Sequence, residues 1–345
     1  MKKYITKDIL SKINFFFKIL KKLLIKHPYL VVLILHEYYR NLYNLDSYIP
    51  FKKKDFIKRF KENLPQLINF AKLGLRLGSY NVYERKNFFF DKNFLKTEVK
   101  SKTGQVYGPL WASFNHKQNL EAKKLLTKRL NPKIFKDKYV LDAGCGGGRY
   151  SYAISLLGAR KVMAVDYGNQ GLSVAKKNYK NAKNLYFKKE NILDLSFKDN
   201  TFDVVFCNGV LHHTSNLKKG ISEIIRVCKP GGKIWLYLYS VGGIFWYSRR
   251  LMNSLMKNIP YKLSFDFLKM MKMPENRFIF MDNWYVPIEQ HCSHKEVLGI
   301  LHKLKVKKIE SILSKNSFDL DYSLKKNPNS ELIWGEGEIR FLIQK

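Results

Sequence analysis

The sequence predicts an α/β chain built on a doubly wound, mostly parallel sheet, with a basic helical N-terminal extension and a cap insert late in the chain. Three observations carry that prediction. Short apolar runs at 139–142, 161–166, 184–189, 202–207 and 233–239 alternate with helix-compatible segments at 149–157, 168–179 and 216–227. The first run opens into a glycine-rich turn, Tyr139 to Tyr150, reading Y-V-L-D-A-G-C-G-G-G-R-Y. The second run ends in an acid, Asp166, twenty positions after Gly146.

A strand, a glycine turn and a helix in that order let a nucleotide-like ligand approach the backbone, because glycine has no Cβ to block it. The acid at the end of the next strand is placed to accept hydrogen bonds from a ribose diol. The ligand is not expected to be a dinucleotide. The pattern G-x-G-x-x-G, counted from Gly144, needs glycine where Arg149 stands, and Asp142 lies two residues before Gly144, where a carboxylate repels a pyrophosphate. An acid at that place suits a ligand with positive charge and no phosphate. S-adenosylmethionine, with its sulfonium and ammonium groups, meets that requirement.

Four blocks in one order sharpen the reading: V-L-D-A-G-C-G-G-G-R, then A-V-D from Ala164 to Asp166, then F-D-V-V-F-C-N-G-V-L-H-H from Phe202 to His213, then E-I-I-R-V-C-K-P-G-G from Glu223 to Gly232. Together they resemble the class I S-adenosylmethionine-dependent methyltransferase family, clearly over about residues 110–240. The resemblance implies a Rossmann-like methyltransferase fold with a seven-stranded sheet, whose last two strands form an antiparallel hairpin at one edge. It also implies S-adenosylmethionine as methyl donor.

Residues 1–103 read as the extension. Up to about residue 45 apolar runs alternate with lysines, and the longest uninterrupted apolar stretch, Tyr29–Leu35, is far short of the ~20 residues of a membrane span. Lysines 7, 12, 18, 21 and 22 break any signal-peptide core. Basic amphipathic helices remain, packed on the protein's own core or lying on an anionic membrane face. The helical pattern continues to about Lys100, with breaks at Pro65, Gly74 and Gly78. The methyltransferase domain is expected over 104–345. It opens on an aromatic lead-in, Gly104 to Phe114, in which Tyr107, Trp111 and Phe114 are candidates to cover the donor, and continues into a helix from Asn115 to Leu130 that Pro132 terminates.

After the fifth strand, residues 241–292 interrupt the alternation and form the expected substrate cap. Ser293 with Glu296 makes a capping box for a helix over 293–304, and strands are expected at 306–312 and 335–344.

By resemblance, Gly144, Cys145, Gly146 and Gly148 line the amino-acid end of the donor, Asp142 meets its ammonium group, and Asp166, with Tyr167 beside it, meets the ribose. Asn191 and Ile192 stand where the adenine binds, Asp194 being the alternative acid, and Asn208 follows the fourth strand. His212 or His213 is the candidate general base, since an imidazole pKa near ~6.5 suits proton removal at neutral pH. Structural packing of His213 is the competing reading. In the cap, Arg249 and Arg250 are candidates to clamp an anionic group, and Asp282, Trp284, Tyr285, Glu289 and His291 to shape the acceptor pocket.

The net charge of +35 comes from 51 Lys and 12 Arg against 28 acids. A Lys- and Asn-rich chain also follows from an A- and T-rich coding sequence, so nucleic acid is not favoured as partner. An anionic metabolite or membrane surface fits better. Cys145, Cys207, Cys228 and Cys292 lack C-x-x-C spacing and are expected as free thiols in a cytoplasmic protein, possible at the inner membrane face. No metal site is expected, because His291, Cys292 and His294 lack a fourth ligand. The leading reading is methyl transfer to a small-molecule acceptor: a sugar, a lipid head group or a secondary metabolite. The alternatives are an RNA-modifying enzyme and a non-catalytic donor-binding scaffold.

Overall fold

The computed structural model describes residues 7–25, 30–32, 34–35, 37–38, 64–69, 71–72, 106–108, 110–111, 116–256, 259, 261, 264–265, 276–313, 319–326 and 330–345. Phe114 of the lead-in and the breaks expected at Gly74 and Gly78 lie outside the described residues. The chain divides into two compact units, one of Met1–Lys96, Val241–Tyr285 and Lys315–Gly337, the other of Thr97–Ser240, Val286–Ser314 and Glu338–Lys345.

The second unit holds the sheet. Its strands are β1 (Tyr139–Ala143), β2 (Lys161–Asp166), β3 (Leu185–Lys189), β4 (Phe202–Asn208), β5 (Cys228–Tyr239), β6 (Lys308–Ser311) and β7 (Glu338–Gln344), in spatial order β3-β2-β1-β4-β5-β7-β6. The first five pair in parallel, while β7 runs antiparallel to both β5 and β6. That is the doubly wound, seven-stranded methyltransferase sheet, with the edge hairpin in its expected place. β5 begins at Cys228, ahead of the expected Lys233. Phe202 pairs with Cys228 before the register shifts, and Gly231 takes a left-handed φ of 75° to absorb the shift.

Both faces of the sheet are covered, so its central strands read as apolar runs. In β1 the side chains alternate. Val140 joins one buried cluster with Ala153, Ile154, Leu172 and Phe206, and Leu141 and Ala143 join another with Ile221, Ile224 and Leu301. The alternation puts Asp142 on the face of Val140, under the Arg149–Leu156 helix. On the other face the Leu217–Val227 helix, capped by Asn216, buries Leu217, Ile221, Ile224 and Ile225, a single stripe at helical spacing.

One side chain ties the loop after β3 to that helix. Arg226 donates from Nε and Nη2 to Glu223, from Nη1 to Asp199 and to the Phe197 carbonyl, and from Nη2 to the Leu195 carbonyl, all at 2.8–2.9 Å. Glu223 accepts in turn from the Leu195 N–H.

The first unit is helical among its described residues. Its Lys7–Leu24 helix buries Ile9, Ile13, Phe16, Phe17, Ile19, Leu20 and Leu23. Phe16 stacks on Tyr38, whose hydroxyl bonds Ser248 Oγ at 2.6 Å in the Gly243–Met256 helix. Trp246 donates to the Trp334 carbonyl at 3.0 Å.

Arg226→Ala leaves two loop carbonyls without their donor and is expected to cost about 2–3 kcal/mol in urea unfolding. Arg226→Lys should recover only part of this, because an ammonium cannot reproduce the planar fork. A midpoint unchanged in both variants contradicts this role.

Candidate active site

In an open sheet of this order the strand sequence reverses between β1 and β4, and ligands bind outside the carboxyl ends of the strands at that point. The glycine turn follows β1 there and the His212–His213 loop follows β4.

The turn is drawn tight by its own backbone. Gly144 and Cys145 both donate N–H to the Val165 carbonyl at 2.8 Å, and Gly148 N–H reaches the Cys145 carbonyl at 2.9 Å. Gly144 and Gly146 have φ of 89° and 53°, where an L side chain is strained. A Cβ on Gly146 would stand 2.6 Å from the Trp111 ring, and one on Gly144 would collide with Val210. The turn is therefore a bare backbone cradle, with Trp111 against Gly146 and Gly147, and Tyr107 stacked on Trp111 at 6.1 Å.

Asp166 shapes this cradle as well as bordering it. Its Oδ2 accepts the Gly146 N–H at 2.8 Å and its Oδ1 the Gly168 N–H at 2.7 Å, a clamp that spacing alone did not disclose. Asp142 is buried and accepts from Ser151 Oγ at 2.6 Å. Among the described residues neither carboxylate forms an ion pair. Burial pushes the Asp142 carboxyl up to about 7, with Ser151 opposing and the nearby Asp166 adding to the rise. Asp166 is raised too, by burial, against its backbone N–H donors. Two carboxylates held together without a cation make a site that a positively charged ligand would relieve. Burial and the same two acids push the Cys145 thiol well up, so it is no nucleophile.

The other candidate donor-site residues, Tyr167, Asn191, Ile192 and Asn208, lie at the ends of β2, β3 and β4. Tyr167 is 41% exposed, beside Lys189, whose ammonium lies 5.5 Å from its ring. Asn191 Oδ1 accepts the Leu193 N–H at 3.1 Å, so its side chain shapes the turn that carries buried Ile192; Asp194 is exposed. Asn208 Oδ1 accepts from Trp235 Nε1 at 2.9 Å.

The two histidines differ. His212 is fully buried, stacked on Tyr239 at 3.7 Å, and its Nδ1 accepts the Tyr239 N–H at 3.3 Å. His213 is partly buried; its Nδ1 lies 3.0 Å from the Ile288 carbonyl and its Nε2 3.0 Å from the Tyr107 hydroxyl. A carbonyl only accepts, so Nδ1 carries the hydrogen, and in the neutral ring Nε2 accepts from Tyr107.

The segment from Val286 that supplies this carbonyl belongs to the sheet unit. Gln290 N–H bonds the His212 carbonyl at 2.7 Å, and His291 Nδ1 meets the Ser240 carbonyl at 2.6 Å while its Nε2 meets Glu289 at 2.5 Å. Of the expected cap residues, Glu289 and His291 are thus joined to the end of β5. Arg249, Arg250, Asp282, Trp284 and Tyr285 belong to the helical unit. There Arg249 and Asp282 form a buried ion pair at 3.1 Å, Trp284 is buried, Tyr285 bonds Ser264 at 2.7 Å, and Arg250 is exposed.

Sequence reasoning passed over Ser151, the Ile288 carbonyl and a cluster at the end of β5. In that cluster Tyr237 donates to Glu338 at 2.6 Å, and Arg340 pairs with Glu338 and lies 5.4 Å from the Tyr237 ring. The alternation of Glu338 and Arg340 along one strand was its only sequence signal.

The profile of the methyltransferase domain matches residues 141–236, the span from β1 into β5. Residues 141–236 belong to the class I S-adenosylmethionine-dependent methyltransferases. The ubiquinone biosynthesis O-methyltransferase of Coxiella burnetii is 32% identical over 118 residues, 31% of this chain and 50% of that protein. The demethylmenaquinone methyltransferase of Clavibacter sepedonicus is 33% identical over 101 residues, 29% and 41% of the two chains. The malonyl-[acyl-carrier protein] O-methyltransferase of Buchnera aphidicola is 30% identical over 159 residues, 45% and 62%. The chain thus spans about half the length of the curated relatives it matches.

The methyltransferase domain's carboxylates make a pH test. The folded state holds the Asp142 proton more tightly than the unfolded chain, whose value is near 3.8, so this group's stabilisation is full below that value and is lost as pH rises toward about 7. Without donor, Asp142→Asn is therefore expected to melt higher than wild type at neutral pH, at roughly 2–4 °C per kcal/mol relieved. The gap should narrow as pH falls from about 7 and close only near 3.8. A variant that melts lower at every pH contradicts the strain.

Proposed function

We propose that this chain is an S-adenosylmethionine-dependent methyltransferase that acts on a hydroxyl oxygen of a small organic acceptor. The observation that carries the reading is the pair of acids, Asp142 and Asp166, around a bare glycine cradle, neither of them in an ion pair among the described residues. Such a site favours a cationic adenosyl compound and rejects a pyrophosphate.

When bound, the donor supplies a methyl carbon on a sulfonium, already activated for displacement. The protein's task is to hold and to deprotonate. The residues that fit the donor are Gly144, Cys145, Gly146 and Gly148 along its amino-acid end, Asp142 for its ammonium, Asp166 for its ribose, and Asn191 with Ile192 for its adenine. Asp166 can serve while clamping the loop, since each carboxylate oxygen has a second lone pair. Trp111 and Tyr107 shield the cradle from water.

His213 is the base. The Ile288 carbonyl fixes the hydrogen on Nδ1 and leaves Nε2 to receive a proton, and Tyr107 stands at that nitrogen. Tyr107 passes the acceptor's proton on: its oxygen takes the hydroxyl proton as its own hydrogen moves to Nε2. His212, buried and engaged through Nδ1, holds the loop. An oxygen acceptor agrees with two of the relatives, whose names specify O-methylation.

Calorimetric titration is expected to show binding of S-adenosylmethionine and none of NAD, and Asp166→Ala should weaken the former roughly 10- to 100-fold. Uptake of NAD in preference sinks the reading. With labelled donor and a panel of hydroxyl-bearing acceptors, His213→Asn should lower kcat by about 10²–10⁴ with donor affinity retained. Tyr107→Phe should lower kcat to a similar degree. Full activity in Tyr107→Phe would remove the relay, and label appearing only in RNA or on nitrogen would remove the acceptor class.

A further inference from the structure

We propose that the exposed face of the Lys7–Leu24 helix, continued to Ile25, is a docking surface for an anionic lipid bilayer. This does not rest on the methyl-transfer reading, since it concerns only the helical unit.

The helix has two distinct faces. Ile9, Ile13, Phe16, Phe17, Ile19, Leu20 and Leu23 are buried in the unit's own core, so the usual apolar stripe is already occupied. The exposed positions are Lys7, Asp8, Ser11, Asn14, Phe15, Lys18, Lys21, Lys22 and Ile25. At ~100° per residue all of these except Asp8 fall within about a third of the circumference. Asp8, the only acid, sits at the edge and pairs with Lys12 at 3.5 Å. Lys72 adds a further cation, its Nζ 5.7 Å from the Phe15 ring.

Within this basic stripe two large apolar side chains face solvent, Phe15 at 49% and Ile25 at 85% exposed. Lysines alone make a solvated face. Lysines around an exposed phenyl ring and an exposed aliphatic tip make a surface that meets phosphate head groups and places apolar groups at the acyl boundary. The chemistry favours a bilayer over RNA. The stripe contains no arginine and offers a single ring, whereas single-stranded nucleic acid is held by successive stacking platforms. Ile25 has nothing to give a base or a phosphate. No helix among the described residues is long and apolar enough to cross a membrane, so the contact is with the surface.

The test is flotation of the full chain with phosphatidylcholine vesicles and with phosphatidylcholine–phosphatidylglycerol vesicles, at low and high salt. Wild type is expected to float with the anionic vesicles only, and less as salt rises. At about fivefold per lysine, K18E/K21E/K22E should lower partitioning by roughly a hundredfold or more. F15S/I25S should lower it roughly tenfold while leaving the salt dependence unchanged. Circular dichroism melts of both variants matching wild type show that the helix is intact. Equal binding to neutral vesicles, no binding to anionic vesicles at low salt, or a lysine variant that floats like wild type overturns the proposal. So does binding of a polyuridylate RNA that needs the same lysines while vesicles are ignored.

Discussion

The contact on which the site depends is the one between the Asp166 carboxylate and the N–H groups of Gly146 and Gly168. It fastens the turn after β1 to the end of β2, and it puts a second acid beside Asp142. Asp166 raises the cost of charge on Asp142, and burial raises both carboxyls. The cradle therefore concentrates negative charge, and it is built from glycines, of which Gly144, Gly146 and Gly148 hold positive φ while Gly146 and Gly147 lie under Trp111. Stability of the bare domain and affinity for a cation are opposed here, a conflict between local strain and binding that functional sites often carry.

A second constraint comes from the antiparallel side of the sheet. β7 brings Glu338 and Arg340 opposite Tyr239 and Tyr237, and the chain before the His294–Lys303 helix returns along the end of β5. From that return the Ile288 carbonyl sets the hydrogen on His213 Nδ1, and Gln290 and His291 pin the loop at His212 and Ser240. One of two neighbouring histidines is thereby made part of the packing while the other keeps a lone pair directed at Tyr107. Neither residue type nor position in the motif distinguishes them; the carbonyl does.

The helical unit shows how a strong positive charge and an ordinary core coexist in one helix. Its buried face satisfies the unit's own packing, which leaves the lysines, Phe15 and Ile25 on the outside. Arg249, which by sequence was a candidate anion clamp, is instead neutralised by Asp282 inside the same unit.

The alternation of apolar runs with helical segments, the glycine turn and the acid twenty residues on were legible in the sequence because they are local. A strand's two-residue period and a cap such as Ser293 with Glu296 depend on neighbours along the chain. The segment boundaries of β1 to β4 follow from them to within a residue or so. What needed the tertiary structure were the relations between distant residues. These are Ser151 beneath Asp142, the backbone donors of Asp166, the assignment of 286–292 to the sheet and of 241–285 to the helical unit, and the partners of His213. Such relations turn on which carbonyl or hydroxyl a distant segment carries to about 3 Å, and a backbone carbonyl leaves no mark in the amino-acid sequence.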